Sequence, residues 1–308
     1  MTRVAAIDCG TNSLRLLVAD VDAHSHAVSD LDRDMYIVRL GEGVDKARRF
    51  SDAALTRTFE ACRDYAARIV SFGAERVRFV ATSASRDATN RDAFFDGVRS
   101  ILGVDVEVIS GDEEAALSFA GATRELLTVS DVAAPYLVVD IGGGSTEFVL
   151  GADSVEAARS VDVGCVRLFE RHLHSDPASP SQIDAARADV VRAIEIAEQS
   201  VPMRKAATLV GLAGSVTTVA ALALHLEAYD ATRIHRSRIP AAAVHEVTER
   251  LLAMTRAERA ALGVMHPGRA DVIGAGALVL DTIVSRLGVP DIVVSEHDIL
   301  DGIALSIA

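Results

Sequence analysis

The chain has 308 residues, half of them apolar and only 4% aromatic, with no tryptophan and a formal net charge of −13. That length accommodates two domains with separate cores, and the aliphatic composition suits α/β layers better than an aromatic-rich sandwich. The acidic balance argues against nucleic-acid binding, and no apolar run approaches the roughly 18 to 20 residues that span a bilayer. With no basic segment leading into a signal sequence, a soluble cytoplasmic protein is expected. Cys9, Cys62 and Cys165 are odd in number and show no paired spacing, which argues against a disulfide framework and against a zinc site. Positive charge is local, in 46–49 (Lys-Ala-Arg-Arg), Arg86 with Arg91, Arg167 with Arg171, and Arg233, Arg236 and Arg238, so a polyanionic ligand stays open.

Residues 3–9 and 13–21 read as two strands of a hairpin, with a third strand near 33–40. Ser51 caps a helix through about 72, with Leu55, Phe59, Cys62, Ala66 and Ile69 at helical spacing. Strand 76–81, a helix near 90–102, strand 104–109 and a helix from about 112 complete a βββαβαβα string. The second half repeats it: strands 136–141, 145–150 and 157–163, helices 165–173 and 181–200, strand 207–211, helices 214–224, 241–253 and 270–287, strand 290–294 and a final helix 297–307. Thr128, Ser130 and Pro135 interrupt the pattern at the change of repeat. The expected domains are 1–125 and 126–308, with the last helix, 297–308, packing back on the first.

Each repeat opens with a strand ending in aspartate, then glycine and small hydroxyl residues, then a second strand. The two stretches are Ala5-Ala6-Ile7-Asp8-Cys9-Gly10-Thr11-Asn12-Ser13-Leu14 and Leu137-Val138-Val139-Asp140-Ile141-Gly142-Gly143-Gly144-Ser145-Thr146-Glu147-Phe148. Glycines at positive φ would let successive N–H groups converge on phosphate oxygens, while Asp8 and Asp140 could hold a divalent cation against the same phosphates. Neither loop has the lysine of a Walker A motif, and both lead into strands where a dinucleotide fingerprint would open a helix. A ligand clamped between two repeats follows. Phosphatase, kinase and ATPase remain open at this point.

These residues resemble the Ppx/GppA family of exopolyphosphatases and guanosine pentaphosphate phosphatases, within the actin, sugar kinase and Hsp70 superfamily. The further stretches that carry the likeness are Ala81-Thr82-Ser83-Ala84-Ser85-Arg86-Asp87-Ala88, Ile109-Ser110-Gly111-Asp112-Glu113-Glu114-Ala115, Gly211-Leu212-Ala213-Gly214-Ser215 and Arg269-Ala270-Asp271-Val272-Ile273. The resemblance is to a short form without a C-terminal HD-like region. It implies two RNase H-like, actin-like α/β domains with an interdomain cleft, and a cytoplasmic, homodimeric hydrolase using Mg²⁺ to remove the terminal phosphate of inorganic polyphosphate. A guanosine pentaphosphate 5′-phosphohydrolase, or a weakly catalytic alarmone-binding or nucleotide-binding regulator, is the alternative.

By the same resemblance Glu114 is the carboxylate that orients the attacking water and takes its proton, with Glu113 as the alternative; adjacent helical residues point about 100° apart, so only one of the two should face the cleft. Asp8, Asp140 and Glu147 form the metal environment. Thr11, Asn12, Ser13, Gly142, Gly143, Gly144 and Ser145 contact phosphates, as do Thr82, Ser83 and Arg86, while Gly214 and Ser215 add a nucleotide or distal phosphate contact. Arg86 could instead pair with Asp87 or Asp92, Ser215 could serve as a helix cap, and Arg269 and Asp271 read as structural. The chain departs from the family's closing Gly-Leu-Arg-Glu-Gly with Asp298-Ile299-Leu300-Asp301-Gly302, placing leucine where the arginine is expected.

Overall fold

The computed structural model describes residues 1–22, 27–126 and 132–308. They form two compact units, Met1–Gly121 with Asp298–Ala308, and Ala122–His297. Thr128 and Ser130, at the expected change of repeat, lie outside the described residues.

The first unit opens with an antiparallel meander, β1 (Thr2–Cys9), β2 (Ser13–Val21) and β3 (Val28–Ile37). There follow α1 (Val44–Ala47), α2 (Asp52–Phe72), β4 (Arg76–Ala81), α3 (Ser83–Asp87), α4 (Arg91–Leu102), β5 (Val106–Val108) and α5 (Gly111–Leu126). The sheet runs β3-β2-β1-β4-β5, with β4 parallel to both β1 and β5. Successive side chains of a strand point to opposite faces. Ala5 and Ile7 of β1 therefore join Leu14, Leu16, Tyr65, Phe79 and Phe94 on one side. Val4 and Ala6 meet Leu17, Val80 and the residues Ile299, Leu300 and Ile303 of the C-terminal helix on the other. Coverage on both faces explains why β1 reads as a nearly continuous apolar run.

The second unit contains β6 (Tyr136–Ile141), β7 (Thr146–Gly151), β8 (Val155–Val161), α6 (Cys165–His172), α7 (Pro180–Glu198), β9 (Thr208–Leu212) and α8 (Ala213–Ala223). It continues through α9 (Ala231–Ile234), β10 (Arg238–Pro240), α10 (Ala241–Ala253), α11 (Arg256–Ala260), α12 (Ile273–Leu287) and β11 (Asp291–Val294), before the C-terminal helix α13 (Ile299–Ser306). Its sheet order is β10-β11-β9-β6-β7-β8. Taken from the far edge, β8-β7-β6-β9-β11 repeats the order of the first sheet, with β10 added antiparallel to β11. One aliphatic core, including Leu137, Val139, Phe148, Val219, Leu278 and Ile283, fills this unit.

Three expectations need correction. The third strand runs over Val28–Ile37 and not 33–40, because its pairing with β2 extends from Val21↔Val28 to Ser13↔Ile37 across a bulge at Val18/Ala19. The short elements α1, α3, α9, α11 and β10 are too brief to carry a periodic signal, and went unforeseen. The glycines of the two opening loops do not adopt left-handed φ. Among the described residues such glycines are Gly43, Gly73, Gly103 and Gly288, all at helix ends.

Candidate active site

In the first unit β1 ends at Asp8–Cys9, and the Gly10 N–H donates to the Ser13 carbonyl at 2.9 Å, closing the loop. The Thr11 carbonyl accepts from the Gly41 amide (2.8 Å), and the Asn12 carbonyl from those of Val38 (3.1 Å) and Arg39 (2.8 Å). In a trans peptide each N–H points opposite to the preceding C=O. The amides of Asn12 and Ser13 therefore face away from the 38–41 segment. That segment sits so close that a Cβ on Gly41 would lie 2.3 Å from the Thr11 methyl. The buried Thr11 and Ser83 hydroxyls are 2.9 Å apart, which joins this loop to the start of α3, where Thr82 is also buried.

The ladder places Arg15 opposite Asp8. Asp8 Oδ2 accepts from Arg15 Nε at 3.0 Å and Nη2 at 2.7 Å, and Arg15 Nη1 donates to Asp298. Asp298 caps α13 by accepting the Leu300 N–H, Asp301 accepts the Asp298 N–H in return, and Arg33 pairs with Asp301 at 2.6 Å. Two guanidiniums thus serve three buried carboxylates. Burial pushes Asp8 above the usual carboxylate range, with Arg15 only partly offsetting it. Burial also acts on Asp298, but there Arg15 and Arg33 outweigh it and hold the carboxyl low. Asp8 Oδ1 is buried without a hydrogen-bond partner among the described residues. Leu300, at the family's arginine position, is buried against β1 and β2, and the positive charge beside Asp301 comes from Arg33 on β3.

Helix α5 carries the acidic pair in its first turn. The Ser110 hydroxyl accepts the Glu113 N–H and the Ser110 carbonyl the Glu114 N–H, so the two side chains diverge. Glu113 turns outward to Arg78 at 2.7 Å. Glu114 is only 8% exposed, and its Oε2 accepts from Arg86 Nη1 at 2.9 Å, while the same nitrogen donates to the Ile109 carbonyl. Arg86 therefore pairs with the candidate base, not with Asp87 or Asp92. Two glycines let α13 press against α5: a Cβ on Gly121 would lie 1.9 Å from the Asp298 carbonyl oxygen, and one on Gly302 2.0 Å from that of Leu117. This contact fixes the helix that presents Glu114.

In the second unit the register sets Asp140 opposite Glu147, both buried. Like charges directly opposed on a ladder are unfavourable, all the more when buried. Glu147 Oε1 accepts from Ser160 Oγ, its register partner on β8, at 2.7 Å. The Gly142 N–H donates to the Ser145 carbonyl at 3.0 Å. The Gly142 carbonyl accepts the Cys165 N–H and the Gly143 carbonyl those of Val166 and Arg167, all at the N-terminus of α6. Trans geometry then turns the Gly143 and Gly144 amides away from α6. Gly164 makes this possible, since a Cβ there would lie 2.6 Å from the Gly143 carbonyl. The sequence reading missed Gly164, whose only signal is a lone glycine just before a helix.

At the β9–α8 junction Ala213 takes a left-handed φ of 67°. A Cβ on Gly214 would lie 2.1 Å from Arg269 Cζ, so glycine admits the guanidinium, which donates to the Gly214 carbonyl at 3.4 Å. Ser215 is buried inside the first turn of α8 and is not its cap. Among the described residues no three Asp, Glu, His or Cys side chains converge as a ready metal cluster. Within the second unit the opposed Asp140 and Glu147, and within the first the orphaned Asp8 Oδ1, are hard oxygen donors of the kind that suit a cation keeping several of its waters.

A duplicated sheet, each copy opened by an aspartate–glycine hairpin, defines an actin-like two-domain α/β fold. Residues 17–308 match the Ppx/GppA phosphatase family, and the chain belongs to it. It is 53% identical over 319 aligned positions to Exopolyphosphatase 2 of Mycobacterium tuberculosis, covering 100% of this chain and 99% of the relative. A crystal structure of an exopolyphosphatase-like protein superposes with TM-score 0.96 at 45% identity, covering 100% of this chain and 98% of that one. The Aquifex aeolicus family member gives 0.81 at 27%, covering 99% and 97%.

Proposed function

We propose that the protein is an exopolyphosphatase, hydrolysing the terminal phosphoanhydride of inorganic polyphosphate. The observation that carries this reading is Glu114, a buried carboxylate held by Arg86 at the start of α5. Such a group orients a water and accepts its proton as the water oxygen attacks the terminal phosphorus and the bridging P–O bond breaks. Orthophosphate leaves, with the chain one unit shorter. In each unit the outward-turned loop amides, Asn12 and Ser13 or Gly143 and Gly144, stabilise phosphoryl oxygens whose charge grows during the reaction. The hydroxyls of Thr11, Ser13, Thr82, Ser83 and Ser145 add short polar contacts, and Gly214 and Ser215 a distal one. Arg86 holds Glu114 in position through its hydrogen bond to Oε2.

A divalent cation, Mg²⁺ in this reading, would be held by Asp140 and Glu147 with Asp8 in support, and would neutralise phosphate charge. The opposed carboxylates and the orphaned Asp8 oxygen support its presence. The same reading makes the chain a cytoplasmic homodimer, which sedimentation checks. No helix among the described residues is long and apolar enough to cross a membrane.

The test is phosphate release from long polyphosphate, triphosphate, guanosine pentaphosphate and ATP with Mg²⁺, for wild type and Glu114→Gln. Long polyphosphate is expected to be the best substrate, with Glu114→Gln slower by at least about 10²-fold. Exclusive turnover of guanosine pentaphosphate, or an undiminished variant, would overturn the reading.

A further inference from the structure

The segment between β3 and α2 concentrates positive charge that the proposed chemistry does not use. Residues 39–49 hold Arg39, Lys46, Arg48 and Arg49 against Glu42 and Asp45, in a chain of net charge −13. Glu42 is turned to Arg57. Lys46, Arg48 and Arg49 are all exposed, Arg48 makes only a loose 3.5 Å pair with Asp87, and neither Lys46 nor Arg49 has a carboxylate partner among the described residues.

The place of this segment gives the charge its meaning. Its first residues hold the phosphate loop by its carbonyls, through the Val38, Arg39 and Gly41 amides on Asn12 and Thr11. Gly41 packs between the Thr11 and Ala84 side chains, and a Cβ there would lie 2.3 Å from one and 3.1 Å from the other. Its far end is pinned to the α3–α4 junction, where the Thr89 N–H and hydroxyl both donate to the Arg48 carbonyl and Asn90 exchanges two bonds with the Phe50 backbone. Arg39 and Arg48 both take left-handed φ, 51° and 54°, conformations that L-residues seldom keep unless their surroundings hold them. The result is a basic segment held at both ends by backbone hydrogen bonds, its first residues bordering Thr11 and its charged end lying at the α3–α4 junction.

We infer that this segment is a distal subsite for the phosphates of a long polyphosphate chain that follow the one being cleaved. The inference rests on the exopolyphosphatase reading and adds chain-length preference to it. A chain of closely spaced anions gains from successive fixed cations, and such binding weakens as salt rises. A substrate of three phosphates, engaged at the loops, has little left to offer Lys46 and Arg49.

The experiment compares Lys46→Glu/Arg49→Glu with wild type and with Arg204→Glu/Lys205→Glu, which makes the same charge change on an exposed turn of the second unit. KM and kcat are measured on long polyphosphate and on triphosphate across a salt series. Binding of long polyphosphate is measured directly in parallel. The Lys46→Glu/Arg49→Glu variant is expected to raise KM for long polyphosphate about tenfold relative to its KM for triphosphate, the equivalent of ~1.4 kcal/mol, and to flatten the salt dependence. The control should keep the wild-type ratio. An unchanged ratio in Lys46→Glu/Arg49→Glu, or an equal change in the control, overturns the subsite and leaves the exopolyphosphatase reading standing. If wild type neither binds nor hydrolyses long polyphosphate, both fall.

Discussion

The two opening hairpins share a strand order, a closing Gly-to-Ser hydrogen bond and an aspartate at the same place, yet they solve the charge problem differently. In the first, the residue in register with Asp8 is Arg15, and the positive charge comes from within the chain. In the second, the residue in register with Asp140 is Glu147, and two buried carboxylates face each other. The first hairpin is largely balanced by protein, apart from one bare oxygen of Asp8. The second places two carboxylates in register, with Ser160 donating to Glu147. The duplicated scaffold thus differs in its charges, with ion pairs tying one copy to α13 and two carboxylates set opposite each other in the other.

That contrast can be broken first at Asp298. If Arg15 and Arg33 balance a buried cluster, Asp298→Ala removes a helix cap and leaves Arg15 with Asp8 alone. We expect a loss of about 3–5 kcal/mol in denaturant unfolding; a loss below about 1 kcal/mol would mean the cluster is not a balanced unit. The second hairpin offers no such target. There Glu147→Gln should slow turnover on the order of 10²-fold, or ~2.7 kcal/mol, and raise the metal concentration needed for half-maximal rate. Thermal stability should hold or improve, because a buried like-charge pair is relieved.

Gly164→Ala tests the loop geometry. The added methyl would push into the Gly142–Gly143 carbonyls, costing about 1–3 kcal/mol and displacing the amides, so phosphate affinity should fall together with stability. Unaltered product inhibition by phosphate would count against the loop's role. The smallest stability effect is expected at Asp8. Its carboxyl is raised by burial, so its ionised form costs stability above the folded pKa, and Asp8→Asn should leave the midpoint of neutral-pH unfolding level or slightly higher while reducing turnover. Asp298 has the opposite sign. Its depressed carboxyl contributes stability that is full above the ordinary value of 3.8 and is lost as pH falls through its lower folded pKa, so α13 should loosen only under acid conditions, as hydrogen exchange along it would report.

Much was legible in the chain itself. Alternating apolar residues located the hairpins, Ser51 and helical spacing located α2, and the two aspartate–glycine stretches marked the turns of the opening hairpins, because each of these signals is local and repeats over a short window. The motif around Glu113 and Glu114 was visible, but not its pairing with Arg86, a residue far away in sequence that reaches α5 through the β4–α3 turn. Arg15 read as one polar position in a strand, and nothing near it announced Asp298 near the other end of the chain.

Sequence alone therefore determined the duplicated α/β plan and the place of the two aspartate–glycine hairpins, since helix periodicity, strand alternation and glycine-rich turns act over a few residues; the motif likeness singled out Glu114 as the candidate base. Tertiary structure decided where the charges go: Arg86 to Glu114, Arg15 between Asp8 and Asp298, Arg33 to Asp301, and no arginine in register with Asp140. It also decided that the loop glycines serve without left-handed φ while Gly41 and Gly164 admit the close approach. The physical reason is that electrostatic balance and steric clearance depend on distance in space, which only the folded chain sets.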